Sequence, residues 1–133
     1  MPSYDVTHYD PPAPIASVSL RAVTGQTVTD VLLLIDTGAD VTLLPRNAVV
    51  RLGIDSGNHS DQSMKYELIG FDGSRSTTDA VDLDMMFLNK AFRGRYLLID
   101  SETGILGRDV LASVCVLLDG PGKAWSEQAE PKS

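Results

Sequence analysis

An aspartate, a threonine and a glycine, Asp36-Thr37-Gly38, stand inside the otherwise mostly apolar segment Leu32–Pro45, "LLLIDTGADVTLLP". A lone carboxylate is costly to bury unless it is protonated or paired with another group. A second carboxylate makes the burial tolerable, because two carboxylates in contact cannot both ionise and therefore share one proton. Such a pair can hold and activate a water molecule, with one carboxylate as general base. This chemistry requires no metal and no other cofactor.

Short strands surround this segment in the sequence. Apolar and polar residues alternate from Ile15 to Val23, which is the period of a half-buried strand. A turn at Thr24–Thr27 leads into a second strand, Val28–Ile35, whose continuous apolar end favours burial on both faces. Further predicted elements are a strand at 41–45, a helix within 46–54, a hairpin over 64–87 with its tip at 70–73, a strand at 92–100, a helix near 107–111 and a strand from about 113 to 118. The pattern indicates a mainly-β fold, closed or sandwich-like, with one or two short helices.

The length of the chain fits one domain. Its 133 residues are enough to bury roughly two-thirds of the surface of the unfolded chain. Residues 1–14 contain "YDPPAP" and are expected to form an extended lead-in. We expect the folded domain to span residues 15–122 and residues 123–133 to form a frayed tail.

Composition excludes several classes of partner. The net charge is −7, from 18 acidic and 11 basic residues, so we expect neither a nucleic-acid partner nor an anionic membrane surface. No apolar run approaches the length of a membrane segment, and the first residues lack the pattern of a signal peptide. Cys115 is the single cysteine, which excludes an intramolecular disulfide. These features predict a cytoplasmic protein.

Three parts of the sequence together resemble a known family. The segment around Asp36-Thr37-Gly38 resembles the active-site loop of the retropepsin-like, single-lobe aspartic proteases. "ILGRDVL", Ile105–Leu111, is similar to the second characteristic segment of that family, and "IGFDGS", Ile69–Ser74, stands where the family has its flap. The resemblance covers roughly residues 15–122. It implies a closed, barrel-like lobe with a flap hairpin.

The resemblance also implies an activity and a set of functional residues. Members of the family hydrolyse peptide bonds with a water molecule held by two aspartates, and the protonated carboxyl polarises the scissile carbonyl. Asp40 and Arg108 match the positions of a supporting ion pair, and Asp72 departs from the more apolar flap tips expected. The residues assigned in this way are Asp36, Thr37 and Gly38 for catalysis, Asp40, Ile69, Gly70, Phe71, Asp72 and Gly73 for substrate binding, and Ile105, Leu106, Gly107 and Arg108 for structural support.

The second carboxylate is not evident in the same chain. Asp55-Ser56-Gly57 repeats the pattern, but it follows Asp36 by 19 residues (55 − 36), too few for a second lobe. A two-fold homodimer would instead place Asp36 against Asp36 of a second copy. In retroviral members both chain ends interleave at this interface. Prolines in the N-terminal segment of this chain disfavour that arrangement, because proline cannot donate to a strand ladder.

Other residues have simpler interpretations. Asp79, Asp82 and Asp84 are predicted to lie on the wet face of a strand rather than to bind a cation. The two histidines lack partners at metal-ligand spacing. Cys115 is expected to be a buried small hydrophobic residue. Trp125 either packs across a dimer or covers the last strand.

Three functions are compatible with the chain. The favoured one is an aspartic endopeptidase that acts on peptide or protein substrates as a homodimer. The alternative is a binding or dimerisation module that keeps the fold without cutting. A glycosidase with two more widely separated carboxylates is disfavoured by the Thr and Gly after Asp36 and by the segment Ile105–Leu111.

Overall fold

The structure is a computed structural model that describes residues 2–53, 65–69 and 75–129; at 65–69 and 75–78 it describes the backbone. The strands are β1 (Tyr4–Asp5), β2 (Ala13–Arg21), β3 (Thr27–Ile35), β4 (Leu43–Pro45), β5 (Lys65–Ile69), β6 (Arg75–Phe87), β7 (Lys90–Ile99), β8 (Gly104–Leu106), β9 (Val116–Asp119) and β10 (Ala124–Glu127). The helices are α1 (Arg46–Arg51) and α2 (Arg108–Leu111). Neither helix is long and apolar enough to cross a membrane.

Within the described chain, eight strands form one sheet in the order β1-β2-β3-β8-β4-β7-β6-β5. Pairing of β2 with β6, for example Leu20 opposite Met85, closes the strands from β2 to β6 into a ring. β3 and β8 run parallel, and so do β4 and β7, whereas the hairpins are antiparallel. The predicted mainly-β, closed and barrel-like fold with two short helices is therefore confirmed.

The barrel interior is filled by alternate residues of the strands. On β2, Ala16, Val18 and Leu20 are buried, and on β3 the inward residues are Val31, Leu33 and Ile35. Leu32 is 44% exposed, so the expectation that this end of β3 is buried on both faces is wrong. The continuous apolar run hid the alternation: only every second residue of this stretch points into the barrel.

The β6–β7 hairpin carries paired charges on its outer face. Val81, Leu83 and Met85 point inward, as predicted, and Asp82 is exposed beside Arg95. Asp84, expected on the wet face, is only 9% exposed. Two arginines explain this burial: the guanidiniums of Arg93 and Arg21 lie 2.9 and 3.3 Å from its carboxylate. Hydrogen bonds from Arg93, then Arg21, hold the pKa of Asp84 below its usual value.

The C-terminal segment folds further than predicted. Ala124–Glu127 form strand β10, which pairs with β9, so the prediction of a frayed tail is wrong for these residues. Trp125 anchors the strand: it is 2% exposed, its indole N–H donates to the carbonyl of Ile15 at 2.9 Å, and its ring lies 6.0 Å from that of Phe87. Burial of a tryptophan stabilises a short strand that has no recognisable sequence pattern. Cys115, expected to be buried, is half-buried at the start of this hairpin.

Candidate functional site

The Asp36 loop begins where β3 leaves the barrel. Ile35 is buried and pairs with Leu106 of β8, and the next backbone N–H, that of Asp36, donates to the Leu106 carbonyl at 3.0 Å. The chain then turns, since the N–H of Ala39 donates to the carbonyl of Asp36 at 3.2 Å. The loop is thus held at its entrance by a strand that is distant in sequence.

Within the loop, the carboxylate of Asp36 faces the backbone rather than the barrel core. Its Oδ1 atom accepts a hydrogen bond from the N–H of Gly38 at 3.0 Å. A Cβ atom on Gly38 would lie 3.3 Å from the same oxygen, so this close approach favours glycine. Asp36 is half-buried in the single chain, and Thr37 and Gly38 are exposed. The catalytic residues predicted from the sequence are therefore grouped on one accessible turn.

The second characteristic segment lies directly against this loop. The N–H of Arg108 donates to the carbonyl of Ala39 at 2.9 Å, and its guanidinium contacts the Thr37 carbonyl at 3.4 Å. The same guanidinium donates to the carboxylate of Asp40, so the ion pair expected from the sequence is present. Both side chains are more than half exposed, which limits what the pair contributes to stability in the single chain. The ion pair joins the Asp36 loop to the first residue of α2.

A buried hydrogen-bond network behind the loop was not predicted. Thr42 is 1% exposed, and its hydroxyl donates to Oδ1 of Asp109 at 2.7 Å while its N–H donates to Oδ2 at 3.1 Å. The hydroxyl also accepts from the N–H of Gly107 at 3.0 Å. The N–H of Thr42, the N–H of Gly107 and the carboxylate of Asp109 therefore all have hydrogen-bond partners in this network, which joins the segment after the Asp36 loop to the start of α2. The only signal in the sequence is a threonine between apolar residues, which does not identify a partner 67 positions away.

The residues predicted to give support lie beneath the turn. Leu106 is fully buried, and Ile105 pairs with both Leu34 and Leu43. Gly107 packs on backbone: a Cβ atom there would lie 2.5 Å from the carbonyl carbon and oxygen of Val41. Such a contact cannot be relieved by moving a side chain, so glycine is required.

The predicted substrate-binding residues are only partly described. Asp40 is exposed and contacts Arg108. Ile69 ends β5 opposite Arg75 of β6, which places the predicted flap hairpin on the sheet. Gly70, Phe71, Asp72 and Gly73 at its tip lie outside the described residues, as does Asp55. A role in substrate binding remains a prediction for Asp40 and for the five residues from Ile69 to Gly73.

Comparison with known proteins finds similarity among solved structures. No protein-family model matches the chain, and no curated protein is significantly similar. The structure is similar to that of EIAV protease complexed with the inhibitor HBY-793, with a TM-score of 0.55 and 26% sequence identity. The match covers 76% of this chain and 86% of that chain. The described chain therefore has a fold similar to that of a retroviral protease, consistent with a single aspartic-protease lobe.

Proposed function

We propose that this protein is an aspartic endopeptidase whose active site is completed by a second copy of the chain. The observation that carries the proposal is the position of Asp36-Thr37-Gly38. These residues form an accessible turn at the end of a core strand, fastened by β8 and α2, in a fold similar to that of a retroviral protease. One lobe supplies one such turn. A two-fold dimer would supply the second carboxylate.

In the proposed mechanism, Asp36 and Asp36 of the second copy share one proton and hold a water molecule between them. The ionised carboxylate removes a proton from the water as it attacks the scissile carbonyl carbon. The protonated carboxyl donates a hydrogen bond to the carbonyl oxygen, on which negative charge develops. The tetrahedral intermediate then collapses: the carboxyl that removed the proton from the water donates it to the leaving amine, the peptide bond breaks, and the pair again holds one proton.

Neighbouring residues would position these two carboxylates. The N–H of Gly38 donates to the Asp36 carboxylate and fixes its orientation. Arg108 ties the loop to α2 through Thr37 and Asp40. By resemblance to the family, Thr37 would bond across the dimer, and the hairpin tip at 70–73 would close over the peptide and exclude water.

The test is to replace Asp36 by Asn and to measure cleavage of an unfolded protein substrate such as reduced casein. We expect activity to fall by a factor on the order of 10² to 10⁴, because the variant lacks the general base. Asp30→Asn is the matched control, since it makes the same chemical change on β3 at an exposed residue outside the loop. The wild-type rate should follow a bell-shaped pH profile, as expected for a proton-sharing pair.

Two outcomes would contradict the proposal. Full activity of a dimeric Asp36→Asn variant would exclude the carboxylate from the mechanism. Absence of cleavage by a folded wild-type dimer, across substrates and pH, would favour the binding or dimerisation module instead.

A further inference from the structure

We propose that two copies of the chain associate through the outer edge of β9, so that their C-terminal hairpins form a four-stranded sheet β10-β9-β9-β10. This inference rests on the proposed function, which requires a second copy. It departs from the interleaved chain ends of retroviral members, because the N-terminal residues take no part in the sheet between copies.

The first observation is that one edge of the hairpin is already occupied. Ser3 bridges to Ala124 of β10, and the N–H of Trp125 donates to the carbonyl of Pro2 at 3.0 Å. The N–H of Tyr4 donates to the carbonyl of Lys123 at 2.8 Å. The N-terminus is therefore bound along the outer side of β10 in its own chain. Of the two edges of this hairpin, the described structure leaves that of β9 without a strand partner.

The hydrogen-bond register shows which groups β9 presents at this edge. The N–H of Gln128 donates to the carbonyl of Cys115 at 2.8 Å, so this opposing pair is a hydrogen-bonded one. Bonded and non-bonded pairs alternate in an antiparallel ladder, and Leu117 and Asp119 therefore bond toward β10. The backbone N–H and C=O groups of Val116 and Leu118 point away from it.

Side chains make this edge apolar. Leu117 is 50% exposed and Leu118 is 43% exposed, and as neighbours on a strand they lie on opposite faces of the hairpin. Natural edge strands are commonly protected by a charge or a proline. The sequence of β9, Val-Leu-Leu-Asp, has such a residue only at its end. An unprotected edge with leucine on both faces favours pairing with another strand.

A second copy fits this edge because the edge is complementary to itself. A two-fold axis at Leu117 would place Val116 of one chain opposite Leu118 of the other. Both residues have outward-pointing backbone groups, so the two strands would form about four hydrogen bonds. The two Leu117 side chains would meet on one face. Asp119 would lie opposite Cys115 of the second copy, so the two Asp119 carboxylates would remain apart.

The position of the hairpin connects this contact to the candidate active site. The indole of Trp125 binds the carbonyl of Ile15, and Ile15 pairs with Leu34, two residues before Asp36. Two residues of strand span about 7 Å. The hairpin therefore lies beside the end of β3 from which the Asp36 loop emerges. Pairing of two β9 strands would bring two such loops to the same side of the interface.

A disulfide across the proposed axis is the direct test. Cross-strand non-bonded pairs place Cβ atoms close enough for a disulfide, so Leu117→Cys in a Cys115→Ser background should cross-link to itself. Leu32→Cys in the same background is the control, because Leu32 is comparably exposed on a different strand. We expect mild oxidation to give covalent dimers of the Leu117→Cys protein at least tenfold faster than of the control. Equal rates, or a monomer at micromolar concentration, would overturn the inference.

A second measurement addresses the strength of the contact. Leu117→Lys should raise the dimer dissociation constant by about 100-fold. The substitution is present in both chains of a two-fold interface, and a tenfold weakening of association from each chain gives about 100-fold in total. Leu32→Lys should leave the dimer dissociation constant within a few-fold of the wild-type value. A larger increase for Leu32→Lys than for Leu117→Lys would contradict the β9 contact. Both experiments follow association, not cleavage. Rapid cross-linking of the Leu117→Cys protein without cleavage activity would contradict the proposed function alone. Cleavage activity without preferential cross-linking at this position would contradict the β9 contact alone.

Discussion

Thr42 offers a sharp test of whether the buried network behind the Asp36 loop holds the two segments together. Thr42→Val keeps the shape of the side chain and removes the hydroxyl. The hydrogen bond to the Asp109 carboxylate is then lost, and the N–H of Gly107 is left without its acceptor. Because Thr42 is 1% exposed, water cannot readily replace either bond.

The expected magnitude follows from these two losses. A hydrogen bond to a charged group contributes about 1.5–3 kcal/mol, and a buried donor without a partner costs about 1–3 kcal/mol. The two effects are not independent, so we expect Thr42→Val to lower the free energy of unfolding by about 2–4 kcal/mol. Thr42→Ser is the matched control. It keeps the hydroxyl and removes one methyl group, at a cost of about 1 kcal/mol.

Urea denaturation followed by Trp125 fluorescence provides the assay. With a slope of about 1–3 kcal/mol per molar urea, the valine variant should unfold at a midpoint lower by roughly 1 M or more. All variants must be compared at one protein concentration, because dimerisation would stabilise the folded state. If Thr42→Val loses no more stability than Thr42→Ser, the hydroxyl does not hold the network and the reasoning fails.

Two further predictions concern close packing and charge. Gly107→Ala should lower the free energy of unfolding by at least about 1–3 kcal/mol, since the added Cβ would meet the backbone of Val41. Gly120→Ala is the control: the space around Gly120 is open, so the free energy of unfolding in the same assay should change by no more than about 0.5 kcal/mol. Asp84→Asn should destabilise the protein near neutral pH. The pKa of Asp84 is lowered in the folded state from its usual 3.8, so its contribution is present above that value and is lost as the pH falls through the folded-state pKa. The difference in urea midpoint between wild type and variant should therefore stay constant above about pH 5 and shrink as the pH falls below about 4. A difference that does not change in this acid range would contradict the role of its two arginines.

Much of the fold follows from local patterns in the sequence. The alternation in β2, the turn at Thr24–Thr27 and the apolar approach to Asp36 each specify an element without reference to the rest of the chain. The glycines at 38 and 107 mark close backbone approaches that the structure shows. These local features predicted a mainly-β fold, closed or sandwich-like. The resemblance to the retropepsin-like proteases implied the closed lobe and the candidate catalytic turn.

Features that depend on distant partners were not predictable in the same way. Asp84 is buried because Arg21, 63 positions away, reaches it together with Arg93, and Trp125 is anchored by a carbonyl 110 positions away. A charged strand residue and a tryptophan near the C-terminus gave no sign of these contacts. Whether a polar group can be buried depends on which hydrogen-bond or charge partner the fold brings to it, and one sequence does not supply that information.

The hydrogen bond between Asp36 and Leu106 has a consequence for the timing of activity. It links residues 70 positions apart (106 − 36), so the Asp36 turn gains its support only after β8 and α2 have been synthesised and have docked. Contacts of such long range form late, because closing a large loop costs entropy before the contact stabilises it. A chain emerging from the ribosome would therefore carry the Asp36 turn for many residues without its support. If the protein is a protease, this order of assembly delays proteolytic activity until most of the barrel exists.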